Sequence, residues 1–313
     1  MVATLLSVRD LEVSYATPEG RLRAVDGVSF ELARGETLAL VGESGCGKST
    51  LGKSILCLVR SDSGQVLFEG TDLTQLSRRA LKPFRKRMQM VFQDPASSLN
   101  PRQTIFKLLE DPLIVHGVRR REERRRRVQV AIDRVGLPHA ALTRFPHEFS
   151  GGQKQRIGIA RALILDPSLI VCDEPVSALD VSIQAQVLNL LVELKAASGL
   201  SYLFISHDLG VVRYIADTIA VMYLGHIVER GPHRSFWGHP AHPYTRALMD
   251  SVPGQGRGRV APITGDLPNA ILPPPGCSFH PRCPAATEIC RMVKPPLRVI
   301  GPEHVVACHH ALA

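Results

Sequence analysis

Residues 42–50 read GESGCGKST and satisfy the spacing G-x-x-x-x-G-K-[ST] through Gly42, Gly47, Lys48 and Ser49. A loop of this kind lets backbone N–H groups curl around a β-phosphate, while its lysine reaches the β- and γ-oxygens and its hydroxyl ligates Mg²⁺. Lys48 and Ser49 stand in those places, Glu43, Ser44, Gly45 and Cys46 form the turn between the glycines, and Thr50 is expected to add an α-phosphate contact. Residues 168–175, SLIVCDEP, are an apolar run that ends in two carboxylates. Two acids closing a buried strand repel one another and resist desolvation unless a cation lies nearby. Asp173 is therefore expected to hold Mg²⁺ through water, and Glu174 to polarise the attacking water or accept its proton.

His207 follows the apolar run YLFIS, which in a parallel sheet would bring its side chain out at the carboxyl edge where ligands bind. A histidine there can sense a γ-phosphate and help hold the water near Glu174. A second glycine pair, in EFSGGQKQR at 148–156, is harder to place. A helix opening at Gly151 and Gly152 offers unpaired N–H groups and a positive dipole end to an anion, with the Ser150 hydroxyl beside them. It has no lysine and no magnesium ligand, so it cannot hold a triphosphate alone. The consistent reading is that it closes over an ATP held by another chain's phosphate loop.

These groups need rigid elements behind them. LLSVRDLEVSY, AVDGVSFEL and ETLALVG read as strands, the last running into the glycines, and STLGKSILCLVR over 49–60 reads as the helix that follows. Strand, glycine loop and helix begin an α/β sheet. Residues 95–165 look mainly helical, and after them the strands SLIVCDE and LSYLFISHD flank a helix around SIQAQVLNLLVELKAAS. Strands interrupted by a helical insert predict two lobes. Beyond residue 230 a Gly- and Pro-rich stretch leads to an appended module. No internal repeat is visible.

Composition narrows the class. With 44% hydrophobic and 21% charged residues the chain is that of a soluble globular protein, and no apolar run approaches the roughly 18 residues of a membrane span. MVATLLSVRDLEVSY lacks the basic and apolar blocks of an export signal, so a cytosolic location is expected. Much of the net charge of +9 lies in RRREERRRR at 119–127. The run has no interleaved aromatics, and it reads as a solvated helix face near anionic headgroups more readily than as a nucleic-acid surface.

Taken in order, the phosphate loop, VFQDP with Gln93, FSGGQKQR, IVCDEP, SALD and SHD resemble the ATP-binding subunit of an ABC transporter over residues 1 to about 235. The resemblance implies a RecA-like P-loop ATPase core with an antiparallel β subdomain, a helical subdomain at about 95–165 and a small C-terminal cysteine-containing module. It divides the chain into a nucleotide-binding domain, 1–255, and an extension, 256–313. It implies a head-to-tail dimer with ATP at the seam, where Ser150, Gly151, Gly152 and Gln153 match the signature, with Phe149 in place of the commoner leucine. Tyr15 then resembles the aromatic that stacks on adenine, Gln93 the switch glutamine that touches Mg²⁺ or water, and Asp180 a residue ordering the opposite site.

FQDPASSLNPRQTI, FPHEFSGGQKQRIGIARALI and HPAHPYTRALMDSVP are similar to the oligopeptide and dipeptide importers, with nickel and other small-solute importers close by. The partners so implied are a homologous second ATPase, two transmembrane permease subunits and an extracytoplasmic solute-binding protein, with the chain peripheral on the cytoplasmic face of the cell membrane. Nucleic acid is not an expected partner. A DNA-repair ATPase of this signature inserts a long coiled coil, whereas only residues 94–148 lie between Gln93 and Phe149 here. A translation-type ATPase carries two cassettes, and an exporter's cassette is usually fused to membrane helices.

Cysteines 46, 57 and 172 are scattered like small apolar fillers. Cys277, Cys283, Cys290 and Cys308 instead form C-x5-C-x6-C-x17-C, and in a cytosolic protein such clustering argues for a metal over disulfides. The spacing lacks the C-x2-C of common zinc sites. Four thiolates suit a [4Fe–4S] cluster, and the resemblance points the same way. Zinc with His280, His309 or His310 as further ligands, and unligated thiols, stay open.

Overall fold

The structure, a computed structural model, describes residues 3–251 and 267–311. The chain divides into two compact units, Met1–Thr74 with Ile205–Ala313, and Gln75–Phe204. The first begins with β1 (Thr4–Thr17), β2 (Gly20–Ala33), β3 (Thr37–Val41), α1 (Lys48–Ile55), β4 (Ser63–Phe68) and β5 (Thr71–Asp72). The second holds α2 (Lys82–Arg87), β6 (Met88–Val91), α3 (Pro95–Ser98), α4 (Ile105–Val115), α5 (Arg121–Arg134), α6 (Gly151–Leu163), β7 (Leu169–Asp173) and α7 (Val181–Ser198), and β8 (Ser201–Ser206) leads out of it. The first unit resumes with α8 (Leu209–Ile215), β9 (Thr218–Tyr223), β10 (His226–Pro232), α9 (His233–Gly238), α10 (Pro243–Asp250), α11 (Glu288–Met292), β11 (Arg298–Gly301) and β12 (His304–Val306). Among the described residues no helix is long and apolar enough to cross a membrane.

In the first unit an antiparallel sheet runs β2-β1-β4-β5. Along β1 Leu5, Leu6, Ser7 and Val8 are buried without a break, and only past the register shift between Val8 and Leu11 does burial alternate, with Leu11 and Val13 buried and Glu12 exposed. β3, TLALV, is buried at all five positions and pairs in parallel with β9, matching the rule that strands covered on both faces read as continuous apolar runs. β9 turns back into β10, β10 pairs antiparallel with β12, and β12 with β11. The segment expected as an appended module is thus stitched onto β10 and belongs to the same unit as the phosphate loop. The expected boundary at 255–256, with much of the Gly- and Pro-rich stretch, lies outside the described residues.

The helix expected over 49–60 stops at Ile55. Cys57 takes a left-handed φ of 52°, and the N–H groups of Cys57 and Leu58 bond back to Ser54 and Lys53, closing the helix as a left-handed cap does.

The second unit is helical between β6 and β7, as the sequence predicts. Only Val128, Ala131 and Ile132 of α5 are buried, so the arginine-rich helix has a thin core face. Arg124 fastens it: its Nε donates to the buried Glu110 at 2.8 Å and its Nη1 to the carbonyls of Val118 and Arg119. Arg127 pairs with Glu123 at 2.7 Å, one turn away. Part of the basic run is therefore engaged within the unit.

Candidate functional site

The buried strand β3 delivers the chain into the phosphate loop, and α1 begins at Lys48. Gly47 makes the junction possible: its φ is 107°, and a Cβ there would run into the Ala24 carbonyl. Lys48 is 4% exposed, and its ammonium donates to the carbonyls of Gly42 and Glu43, both at 2.8 Å. A buried ammonium needs such partners, and phosphate oxygens are the same kind of acceptor. The Tyr15 hydroxyl lies 3.5 Å from the Thr50 hydroxyl, which places the expected adenine-stacking ring beside the first turn of α1. Burial pushes the Cys46 thiol up despite neighbouring Lys48. His207 is exposed just after β8, outside α8, whose N-terminus is capped by Asp208 through Gly210 N–H at 2.7 Å and Val211 N–H at 3.3 Å.

In the second unit β6 and β7 run parallel with Val91 opposite Cys172. That register carries Gln93 and Glu174, each two residues further on, to the same height. The Gln93 amide donates to Glu174 Oε2 at 3.0 Å. Glu174 holds a left-handed φ of 46°, a conformation that non-glycine residues adopt at a cost and that clusters at functional sites. Asp173, at the end of β7, is 4% exposed. Cys172 is fully buried and its thiol is pushed far up by desolvation, consistent with a filler.

Ser150 caps α6 in a reciprocal box: its hydroxyl accepts from Gln153 N–H at 3.4 Å, while Gln153 Oε1 accepts from Ser150 N–H at 3.1 Å. Ser150, Gly151 and Gln153 are exposed, as is Asp180, which opens α7. Gly152 is buried, and a Cβ there would collide with the Ile183 side chain of α7. The glycine expected as an anion contact thus also permits close approach of two helices.

The four C-terminal cysteines come together. Cys277, Cys283, Cys290 and Cys308 line one cavity of about 10 Å³ with His242. Burial pushes the thiols of Cys277 and Cys308 up, and Cys283 to about 11. Among the described residues no three His, Cys, Asp or Glu side chains form a group that could hold a metal ion. The histidines named as spare ligands have other partners: His280 Nδ1 lies 3.0 Å from the Cys277 carbonyl, His309 Nε2 2.8 Å from the Val293 carbonyl and His310 Nε2 2.7 Å from the Thr287 hydroxyl.

Sequence reasoning missed what anchors this segment. Glu229 on β10 is completely buried and accepts from the N–H groups of Ala241 at 2.9 Å and His242 at 2.8 Å and from His304 Nε2 at 2.8 Å. Burial alone would raise its pKa, but these bonds prevail and hold it below the ordinary value. His242 accepts Tyr244 N–H on Nδ1 at 3.0 Å, and its Nε2 has no partner among the described residues. Desolvation pushes this imidazole down to about 4. The signal was HPAHPYTRALMD, where a histidine precedes a proline that starts a helix.

Residues 25–177 match the ABC transporter family model, and residues 228–290 match that of the oligopeptide/dipeptide transporter C-terminal region. The oligopeptide transport ATP-binding protein AppF of Bacillus subtilis is 50% identical over 319 residues, covering 98% of this chain and 97% of its own. Among solved structures, the ATP-binding cassette MJ0796, in a dimeric post-hydrolysis state bound to ADP and Pi, superposes with a TM-score of 0.67 at 29% identity, covering 73% of this chain and 99% of that one. Clostridium perfringens cbiO1, part of the ABC transporter complex cbiONQ, gives 0.66 at 29% identity, with coverage of 74% and 90%.

Proposed function

Because this chain belongs to the ABC transporter family, in its oligopeptide and dipeptide import branch, we propose that it hydrolyses ATP to power peptide uptake through a membrane permease. The observation that carries the reading is Lys48, buried at the head of α1 with its ammonium resting on two loop carbonyls, in a chain matching a peptide-transport ATPase over almost its whole length.

In this reading residues 42–50 wrap the phosphates, Lys48 takes the β- and γ-oxygens, and Tyr15 stacks on adenine. Ser49, Gln93 and, through water, Asp173 would hold Mg²⁺, whose preference for hard oxygen donors fits a hydroxyl, an amide and a carboxylate. Bound there, the ion supplies neutralisation of phosphate charge. Glu174 accepts the proton of the attacking water, Gln93 orients that carboxylate, and His207 reads the γ-phosphate. Ser150, Gly151, Gly152 and Gln153 close over the ATP of a homologous ATPase in a head-to-tail dimer, with Asp180 ordering the opposite site. ATP then favours the closed dimer, because its γ-phosphate meets the signature helix only there, and hydrolysis removes that differential contact. Two permease subunits and an extracytoplasmic solute-binding protein complete the assembly, with this chain on the cytoplasmic face. Residues 1–255 are the nucleotide-binding domain, with a helical subdomain at about 95–165, and 256–313 the extension.

We also propose that the extension holds a [4Fe–4S] cluster on Cys277, Cys283, Cys290 and Cys308. The donor set is four thiols around one cavity, and the buried Nε2 of His242 in its wall has no partner among the described residues. A cubane gives each thiolate its own iron, whereas zinc requires all four to converge on one ion. The cavity has room for about one water, so cluster binding is expected to be coupled to local folding. Such a group supplies electron storage or a structural cross-link. Iron and sulfide analysis of anaerobically purified protein tests it, and their absence would refute it.

The activity is tested in vesicles carrying the permease subunits: ATP hydrolysis should rise when peptide-loaded solute-binding protein is added. Stimulation by DNA instead would overturn the reading.

A further inference from the structure

Glu43, the first variable residue of the phosphate loop, has each of its polar groups held. Its carbonyl accepts from Lys48 Nζ at 2.8 Å, its N–H donates to the Tyr244 hydroxyl at 3.0 Å, and its two carboxylate oxygens accept from Arg282 Nη1 at 3.1 and 3.0 Å. Two of these three partners lie far along the chain, Tyr244 on α10 and Arg282 in the turn immediately before Cys283. Arg282 is 8% exposed on its side chain and its guanidinium sits 5.9 Å from the Tyr223 ring centre, so the pair is sheltered from solvent. Tyr223, Tyr244 and Phe279 pack edge-on or tilted, at 4.7–5.3 Å between ring centres, and fix the two partners relative to each other.

We propose that Arg282, assisted by Tyr244, is a positioning residue for the nucleotide site: it fixes Glu43 and through it the carbonyl on which Lys48 rests, so ATP affinity depends on the cysteine-bearing segment. The inference rests on residues 42–50 being the nucleotide's phosphate loop. Lys48 shares itself between the Glu43 carbonyl and an incoming phosphate, and moving that carbonyl changes how readily the ammonium is released to the phosphate. Arg282 does not touch the reacting atoms, so its loss should appear in binding and leave the chemical step alone.

The test uses the full-length chain, with ATP binding followed by a fluorescent analogue and steady-state hydrolysis followed alongside. Arg282→Gln and Glu43→Gln should each raise KM and Kd for ATP about fivefold, with kcat within twofold, as loss of a sheltered charge-assisted hydrogen bond would give. The double variant should be no worse than either single one, because both remove the same interaction. Arg282→Lys should recover most of the affinity, since one nitrogen makes both contacts. Tyr244→Phe, which keeps the packed ring, should weaken ATP binding should Arg282→Gln fail to fold. Unchanged affinity in the folded variants, or additive losses in the double variant, would overturn the inference while Lys48→Ala still abolishes binding. Retention of ATP binding by Lys48→Ala would instead refute the loop assignment, and this inference with it.

Discussion

The Gln93 amide donates to the Glu174 carboxylate at 3.0 Å, and the parallel register of Val91 with Cys172 is what brings the two side chains together. A carboxylate held by an amide donor keeps its direction, as a general base must. The glutamine expected to meet Mg²⁺ or water is here on the proposed base, so it is suited to pass a change in the helical region directly to that carboxylate.

Glu174→Gln should slow hydrolysis by about 10²–10⁴-fold, the usual contribution of general-base catalysis, and leave ATP affinity within about twofold. The substitution removes a proton acceptor and no proposed phosphate ligand. Single-turnover hydrolysis and equilibrium binding read the two effects separately, and loss of ATP binding would contradict the role.

Ser150→Ala removes the cap of α6 and should cost about 1 kcal/mol of stability. If Ser150 serves the ATP held by the partner ATPase, binding of ATP to this chain alone is unchanged, while hydrolysis by the assembled transporter falls at least about tenfold. Equal loss in both assays would place Ser150 at this chain's own nucleotide.

Gly152→Ala separates packing from anion binding. The added methyl meets Ile183, so the unfolding midpoint should drop by the equivalent of about 1–3 kcal/mol. Gly152→Ala with Ile183→Ala relieves the clash and should regain part of that loss, relative to Ile183→Ala alone. A double variant that is stable yet inactive in the assembled transporter would leave the backbone at 152 with a nucleotide role of its own.

What the sequence made legible follows from how local each signal is. Gly42, Gly47, Lys48 and Ser49 lie within one turn and the start of one helix, so their spacing alone specifies a phosphate cradle, and the buried runs TLALV and LIVCD announce the strands that carry the sites. The early end of α1 was not legible, because the left-handed turn at Cys57 is unusual for that residue type. Nor was the tie from Glu43 to Arg282: it joins residues 239 apart through a turn whose sequence resembles any Pro-rich loop. The union of the tail with β10 was missed for a related reason, since Glu229 reads as a surface acid until the structure shows it buried.

Glu229 gives the tail a predictable dependence on pH. It faces His304 from β12, the Ala241 and His242 N–H groups and the Thr245 side chain, with the His242 imidazole also nearby. Its pKa in the folded chain lies below that of a free glutamate, about 4.3. A carboxyl depressed in this way contributes stability at pH values above its unfolded pKa, and that contribution is lost as pH falls below about 4.3 and through the folded value. The unfolding midpoint, followed between pH 3 and 8, should therefore fall in acid. Glu229→Gln should be destabilised at pH 7 by about 2 kcal/mol, because the histidine and amide donors lose a charged acceptor. The gap between wild type and variant should close as acid neutralises the native carboxyl. A gap that stays constant from pH 7 to pH 3 would show that Glu229 holds the tail by shape and not by charge.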